Sequence, residues 1–355
     1  MNPVQKKILI IRFSSMGDVI IASPLIRVLR AAYPKAQIDF LVKSEYADLV
    51  RFNPHLSSIV ELKTVDKDEL KELKRSLCRT HYDIIFDIHN SLRSRYLLWF
   101  SGAKYTRVIN KRVIRRFFLI KFKWNFYGNI ISVADRYLET AKTFHISNDG
   151  QGLEIFVNEE SVSTVKAMMG KYRLERYDLV IGLAPSARHY TKRWLPERYV
   201  ELGTEIAKKF SAKLLIFGSK NEQDYCGDIA QMINANLGST AAESFAGKLT
   251  LLETAAVLDG CSLVITNDSG IMHLAAARKK KVIAIFGSTV KEFGFFPYGT
   301  DNAVVENENL SCRPCSHIGL EKCPRNHFKC MKDIYAGDVL NVIYKMLDLP
   351  HGDEE

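Results

Sequence analysis

The chain has 355 residues, of which 47% are hydrophobic, 25% charged and 10% aromatic, with 20 Gly and 10 Pro. This composition excludes a disordered or fibrous protein, and the length predicts about two domains. Fifty Lys and Arg against 40 Asp and Glu give a net charge of +10, which indicates an acidic partner. No apolar run reaches the ~18 to 20 residues that span a bilayer, and the first residues lack a signal-peptide pattern, so we expect a cytoplasmic protein.

The first half of the chain alternates apolar runs with helical patterns. Strands are predicted at 8–11 and 38–42 with a helix between them, which makes a βαβ unit. Further strands are predicted at 58–62 and 83–87, and a helix at 66–79 separates them. This order favours a parallel sheet with right-handed crossovers.

The second half repeats the alternation after a partly polar helical stretch at 159–176. Its predicted strands are 178–183, 213–217, 262–266 and 281–286, and its predicted helices are 196–210, 221–235, 251–258 and 270–277. The fold class is therefore α/β, with two doubly wound, Rossmann-like domains joined near 157–177. Functional residues are expected at the carboxyl ends of the strands and in the cleft.

The first strand leads through a turn of small residues, 14–18, into a helix. Small residues let the backbone approach a ligand, and Asp18 is compatible with two roles, a helix cap or a functional carboxylate. The turn lacks the G-x-G-x-x-G pattern of dinucleotide binding. The chain contains neither a Walker P-loop nor an H-E-x-x-H sequence, which disfavours the corresponding chemistries.

Polar turns also follow three predicted strands of the second half. The loop 184–196 carries the anion-binding candidates Ser186, Arg188, Lys192 and Arg193, although a solvated basic loop fits the same residues. Asp268, Ser269 and Gly270 open a helix that can bind a diphosphate, with His273 about one turn in, where a structural histidine is the alternative. Glu222 follows a third strand and could contact a ribose or favour the helix start.

One segment supplies most of the positive charge. Residues 104–123 contain eight Lys and Arg and no acid, and Phe117, Phe118 and Phe122 lie among the cations. Such a stretch suits an anionic membrane surface, with nucleic-acid binding or a solvated face as alternatives.

Four of the seven cysteines cluster as Cys312, Cys315, Cys323 and Cys330. Seven is an odd number in a chain without an export signal, so we expect reduced thiols. The cluster could hold a structural metal, but its spacing is not that of a zinc ribbon, and a packed loop is the alternative.

Three motifs, ILIIRFSSMGDVI at 8–20, TKRWLP at 191–196 and TNDSGIMHLAA at 266–276, together resemble the lipopolysaccharide core heptosyltransferases of glycosyltransferase family nine. The resemblance implies a GT-B fold with two Rossmann-like domains facing a cleft. It also implies inverting transfer of heptose from ADP-L-glycero-β-D-manno-heptose to an inner-core lipid acceptor, without a cofactor or an essential metal, at the inner face of the inner membrane.

Residue roles follow from the same resemblance. It makes Asp18 the general base, and it assigns the donor to Ser186, Lys192, Glu222, Asp268, Ser269, Gly270 and His273. For such an enzyme we expect contacts with the acceptor or an anionic membrane at Ser15, Gly17, Arg115, Arg116 and Lys121. No nucleic-acid partner is expected.

The expected domains are residues 1–160 for the acceptor, 177–337 for the nucleotide sugar, and 338–355 as a helix and tail that can pack back on the N-terminal domain. Two rival functions share parts of the pattern. A nucleotide-sugar epimerase, or a transferase of another sugar, fits two Rossmann-like domains. A nucleic-acid-binding protein fits the basic segment but leaves the strand-end motifs unexplained.

Overall fold

The computed structural model describes residues 6–64, 66–99 and 101–349. The chain divides into two compact units. Unit 1 comprises Met1–Val113 and Ile131–Phe156, and unit 2 comprises Ile114–Ile130 and Val157–Glu355. The basic segment 104–123 is therefore divided between the units, with residues 104–113 in unit 1 and residues 114–123 in unit 2.

Unit 1 is built on a five-stranded parallel sheet in the order β3-β2-β1-β4-β5. Its strands are β1 Lys7–Ile11, β2 Gln37–Lys43, β3 Ser58–Leu62, β4 Ile84–Asp87 and β5 Tyr105–Val108. The central strands read as continuous apolar runs because helices cover both faces of a parallel sheet. In β1, Ile8, Leu9, Ile10 and Ile11 are all fully buried.

The helices of the first 156 residues start and end at ordinary sequence signals. The Asp66 side chain caps the helix at 67–80 by accepting hydrogen bonds from the backbone N–H groups of Asp68 and Glu69. His81 ends that helix in the left-handed conformation. The helices are α1 Met16–Ile21, α2 Ser23–Ala32, α3 Asp48–Arg51, α4 Lys67–Thr80, α5 Leu92–Leu98, α6 Val113–Phe122 and α7 Val133–Leu138.

Unit 2 contains a six-stranded parallel sheet in the order β11-β10-β9-β6-β7-β8. Its strands are β6 Leu179–Ala184, β7 Ala212–Ile216, β8 Ala242–Ser244, β9 Leu263–Asn267, β10 Lys281–Phe286 and β11 Asn302–Glu306. Its helices are α8 Glu159–Met169, α9 Pro196–Lys209, α10 Gln223–Leu237, α11 Leu251–Asp259, α12 Gly270–Ala277, α13 Lys329–Lys332 and α14 Ala336–Met346.

Helix α14 completes the core of unit 2. Val339 and Ile343 are fully buried in the same cluster as Trp194, whose indole N–H donates to the carbonyl of Ile334 at 3.0 Å. The apolar face of this helix is thus used within unit 2, and packing of the segment 338–355 on the N-terminal domain stays a prediction. A helix with one apolar face buries it against the nearest complementary surface, here α9 and the strands β10 and β11.

The strand orders confirm the predicted α/β, doubly wound architecture. In each sheet the order reverses next to the first strand, between β1 and β4 in unit 1 and between β6 and β9 in unit 2. Ligands of such sheets bind at the carboxyl ends of the strands beside this reversal. Among the described residues, no helix combines the length and apolar character needed to cross a membrane.

Candidate active site

Asp18 lies at the reversal point of unit 1, in the first turn of α1. Its Oδ1 is 2.5 Å from Nη2 of Arg12 and accepts a hydrogen bond at 3.3 Å from the hydroxyl of Tyr137. Its Oδ2 accepts from the backbone N–H of Ser15 at 3.1 Å and from the Ser15 hydroxyl at 2.9 Å. This contact with the N-cap residue Ser15 is that of a helix-capping carboxylate. Asp18 therefore caps α1, and this role is compatible with a role in catalysis.

The environment keeps Asp18 ionised. Burial alone would raise the pKa of its carboxyl group, but the Arg12 charge and the hydrogen bonds from Ser15 outweigh burial and hold this pKa below its ordinary value. Burial raises the pKa of Tyr137, which therefore remains a neutral hydrogen-bond donor. Of the two expected acceptor contacts, Ser15 is exposed and Gly17 is buried. The site thus holds a carboxylate at neutral pH.

Arg12 also joins Asp18 to the turn that follows β4. Its Nη1 donates to the carbonyl of Ile88 at 2.9 Å, and the next side chain, His89, lies against Phe13 with ring centroids 4.5 Å apart. Burial, followed by the charge of Arg12, lowers the pKa of His89 to about 3, so this imidazole is neutral at physiological pH.

The turn after β4 is organised by Asp87, which is fully buried. Its carboxylate accepts from the backbone N–H groups of His89 at 3.0 Å and Asn90 at 2.7 Å, and from the Ser94 hydroxyl at 2.8 Å. Sequence reasoning missed His89, although its place just after a predicted strand was a usable signal. Tyr137 had no such signal, because it comes from α7, more than a hundred residues beyond Asp18.

A second polar cluster lies at the carboxyl ends of β6, β9 and β10 in unit 2. Lys192 Nζ is 2.7 Å from Oδ2 of Asp268, and both side chains are largely buried. The hydroxyl of Thr289 donates to the same oxygen at 2.7 Å. Lys192 and Asp268 were both predicted from sequence, whereas Thr289 was not, although it stands only three residues beyond the end of β10.

Asn267 fixes the loop that carries Lys192. Its side-chain oxygen accepts from the backbone N–H of Trp194 at 3.0 Å, and its side-chain nitrogen donates to the carbonyl of Pro185 at 2.8 Å. Ser186 is buried just beyond β6, whereas Arg188 is exposed. The 184–196 loop is therefore an ordered part of the cluster, and Arg188 lies on its solvent side.

Helix α12 begins within this cluster. Ser269 is its N-cap residue, with its hydroxyl 3.2 Å from that of Thr266, and Gly270 is its first helical residue. His273 is buried in the first turn, with its ring 6.4 Å from that of Phe295. The motif thus brings backbone N–H groups of a helix start close to Lys192, an arrangement that suits a diphosphate.

Glu222 follows β7 and caps the next helix. Its Oε2 accepts from the backbone N–H and from the hydroxyl of Ser219, both at 2.7 Å. Gly218 precedes this turn, and a Cβ there would lie 2.7 Å from the Cys226 sulfur, which explains the glycine. Contact of Glu222 with a nucleoside stays a prediction.

The cysteine-rich loop, residues 312–330, packs against the Lys192 cluster. Cys312, Cys315, Cys323 and Cys330 are free thiols, and burial raises the pKa of Cys330 to about 12. Within 6–64, 66–99 and 101–349, no group of three or more His, Cys, Asp or Glu side chains is arranged to hold a metal ion.

Arg313 anchors the cysteine-rich loop and is buried between the strand ends. Its guanidinium donates to the carbonyls of Gly287 and Thr289 and pairs with Glu306 at 2.6 Å. Leu320 exchanges two hydrogen bonds with Thr191, the neighbour of Lys192. The loop therefore supports both Thr289 and the Lys192 segment.

Residues 114–130 of unit 2, which include the second half of the basic segment, form most of α6 and the stretch that follows it. Leu119 and Tyr127 are buried with Phe293, which anchors the segment to the loop after β10. Its other face is exposed, and the exposed aromatic side chains are Phe117, Phe122, Trp124 and Phe126, each about half accessible. Arg115 and Lys121 are exposed, and Arg116 is half-buried.

The chain is similar to known proteins along most of its length. A family model described as glycosyltransferase family 9 (heptosyltransferase) matches residues 70–323. Lipooligosaccharide heptosyltransferase 2 of Campylobacter jejuni is 26% identical over 340 residues, covering 95% of this chain and 97% of that protein.

Two solved structures share the fold. A glycosyl transferase family 9 protein from Veillonella parvula superposes with a TM-score of 0.78 at 21% identity, covering 97% of this chain and 98% of its own. The E. coli ADP-heptose lps heptosyltransferase II superposes with a TM-score of 0.71 at 22% identity, covering 96% of this chain and 98% of its own.

Proposed function

The chain belongs to glycosyltransferase family 9 (heptosyltransferase), with a GT-B fold, and on that premise we propose that it transfers heptose from ADP-L-glycero-β-D-manno-heptose to the inner core of lipopolysaccharide. The observation that carries the proposal is the largely buried, ionised Asp18 at the reversal point of unit 1. The similar proteins from C. jejuni and E. coli, whose names specify a lipooligosaccharide and an lps heptosyltransferase, support the substrate class.

Asp18 is the general base of this reaction. The acceptor hydroxyl oxygen attacks the anomeric carbon, the bond from that carbon to the diphosphate oxygen breaks, and ADP leaves with the bonding electrons. The hydroxyl proton passes to the Asp18 carboxylate. Because the oxygen attacks the face opposite the departing diphosphate, the anomeric configuration inverts. Ser15 is the exposed partner of Asp18 and is the contact that an acceptor hydroxyl can replace, while Arg12 and Tyr137 hold the carboxylate in place.

Lys192 and the start of α12 stabilise the departing diphosphate. Lysine offers a compact positive charge, and the N–H groups at Ser269 and Gly270 add directed hydrogen bonds to anionic oxygens. Asp268 and Thr289 position the Lys192 ammonium, since the Asp268 oxygen at 2.7 Å receives the lysine and Thr289 together. Ser186, Glu222 and His273 complete the donor-binding set in this proposal.

The acceptor is lipid-linked, so we place the enzyme peripherally on an anionic membrane surface. The exposed aromatic face of α6 and the following stretch, with Arg115, Arg116 and Lys121, is the contact in unit 2. Aromatic side chains enter the headgroup region while cations meet lipid phosphates. Neutralising these three cations should release the protein from anionic liposomes; unchanged binding would remove this part of the proposal.

A transfer assay read by mass spectrometry tests the reaction. Purified protein, ADP-heptose and a panel of truncated inner-core lipid acceptors are incubated beside Asp18→Asn and the exposed control Asp48→Asn. A heptose mass increment on one acceptor, lost in Asp18→Asn and kept in Asp48→Asn, is the expected result and names the acceptor. Donor binding without transfer to any acceptor would refute the acceptor class, and absence of donor binding would refute ADP-heptose.

A further inference from the structure

Helix α5 in unit 1 carries an apolar stripe on its exposed side. Leu92 is 92% exposed, Tyr96 36% and Trp99, which ends the helix, 64%. Residues spaced by four and three positions lie on one face of a helix. The opposite face, with Ser94 and Leu97, is buried. Three large apolar side chains on one short exposed face are unusual for a surface that meets only water.

The charge around this stripe is positive. Within unit 1, residues 88–113 contain six Lys and Arg and no Asp or Glu. Arg93 and Arg95 are exposed on α5 itself. Lys74 of α4 lies over the stripe, with Nζ 4.6 Å from the ring centre of Tyr96 and 5.8 Å from that of Trp99. Aromatic side chains beside cations are the composition of a protein surface that meets anionic lipid headgroups.

We propose that this α5 stripe is a second lipid-contacting surface of the enzyme, separate from the α6 segment and carried by unit 1. The inference rests on the proposed function, because it assumes an acceptor held in an anionic membrane. Trp99 and Tyr96 lie at the headgroup level, Leu92 enters the apolar boundary, and Arg93 and Arg95 meet lipid phosphates.

Helix α5 lies close to the proposed base in unit 1. The helix starts directly after the turn 88–91, which Arg12 holds through the carbonyl of Ile88 while it pairs with Asp18. A lipid surface that contacts α5 therefore lies next to the turn that Arg12 connects to the proposed base. The stripe accordingly brings the headgroup of a lipid-linked acceptor towards the edge of the sheet where its hydroxyl must be deprotonated.

The three tryptophans allow each surface to be observed by itself. Trp99 reports on α5, Trp124 is 55% exposed and reports on the α6 segment, and Trp194 is fully buried and constant. The full-length variants Trp124→Phe and Trp99→Phe are mixed with phosphatidylcholine vesicles that contain or lack phosphatidylglycerol, with brominated lipid as quencher.

The expected result is a blue shift and bromolipid quenching of Trp99 in Trp124→Phe, on phosphatidylglycerol-containing vesicles only. If Trp124 responds and Trp99 does not, the α5 proposal is overturned while the membrane contact of α6 stands. If neither responds, both contacts fail, and the transfer assay with detergent-dispersed acceptor still tests the reaction independently. A blue shift of Trp99 that grows with protein concentration without vesicles would overturn the proposal in favour of self-association through α5.

A binding measurement adds a second arm. Leu92→Gln with Trp99→Gln should weaken sedimentation with anionic vesicles roughly tenfold or more, because two apolar side chains no longer leave water. Met232→Gln on α10, an exposed apolar residue of unit 2, is the matched control and should leave binding unchanged. Equal binding of the double variant and the control, with the fluorescence of Trp194 intact, would contradict the proposal.

Discussion

Arg12 and Asp18 form an ion pair at 2.5 Å in which both side chains are nearly buried. The same guanidinium donates to the carbonyl of Ile88, so a single side chain connects the proposed base to the turns after β1 and β4. Breaking a buried pair by removing one partner leaves the other charge without compensation, which makes Arg12 the residue that decides the ionisation of Asp18.

We expect Arg12→Gln to shift the pH dependence of transfer. In the native protein the Arg12 charge and the Ser15 hydrogen bonds hold the pKa of Asp18 below its ordinary value, so protonation of the base limits the rate only in more acidic solution than for an ordinary aspartate. Without the Arg12 charge, burial dominates and raises this pKa, and the acidic limb of kcat should move to higher pH. The pH profile of kcat measures the shift.

Arg51→Gln is the control for that experiment, because Arg51 forms an exposed pair with Asp48 and lies outside the site. Its profile should coincide with that of the native protein. An acidic limb that stays in place in Arg12→Gln, in a folded variant with measurable activity, would show that Asp18 is not the group whose protonation stops the reaction.

Replacement of Lys192 should affect the chemical step. Lys192→Gln removes the positive charge held by Asp268, and we expect kcat to fall on the order of 10²-fold, as for loss of a preorganised group that stabilises a leaving anion. Lys192→Arg keeps the charge but spreads it over a planar fork, so an intermediate value is expected. Steady-state kinetics with varied donor give kcat and KM; a rise in KM alone would assign Lys192 to binding and not to the departure of ADP.

The sequence predicted the buried centre of both sheets better than their edges. Apolar runs at 8–11 and 281–286 correspond to β1 and β10, because a parallel strand covered on both faces must be apolar throughout. Of the four edge strands, β3 was predicted at 58–62, whereas β5, β8 and β11 were missed. Each of these three has three to five residues, and part of its side chains are accessible to solvent, which weakens the pattern.

Among the site residues, too, some were predicted from the sequence and others were not. Asp18, Lys192 and Asp268 stand in recognisable turns after strands, so local sequence was enough to propose them. Tyr137 and Thr289 complete these turns from distant parts of the chain, and only the folded sheet brings their hydroxyl groups to the carboxylates. Tyr137 carries no local pattern, because it lies in a helix far from Asp18 in sequence, whereas the position of Thr289 just after β10 was a usable signal.

Thr289→Val should loosen the donor site without unfolding unit 2. The substitution keeps the shape of the side chain and removes the hydrogen bond to Asp268 at 2.7 Å, which leaves a buried carboxylate oxygen with one partner fewer. We expect the free energy of donor binding to become less favourable by about 1 to 1.5 kcal/mol, which corresponds to roughly five- to tenfold weaker binding. Calorimetric titration with ADP-heptose measures it, and Thr300→Val, which removes a hydroxyl bonded to the carbonyl of Lys280, is the control.

Gly319 offers a test of whether the cysteine-rich loop positions Lys192. Its φ of +98° favours glycine, and a Cβ there would lie 2.6 Å from Cβ of His189 and 3.0 Å from Cδ of Lys192. Gly319→Ala should therefore displace the lysine stem and lower kcat/KM about tenfold, with a loss of stability of about 1 kcal/mol or more.

Gly227→Ala inside α10 is the control, because nothing lies within 4 Å of its Cβ position and alanine should stabilise the helix by about 0.5 to 1 kcal/mol. Urea unfolding and donor kinetics separate the two effects. Full activity in Gly319→Ala, at whatever stability, would mean that the loop does not set the position of Lys192.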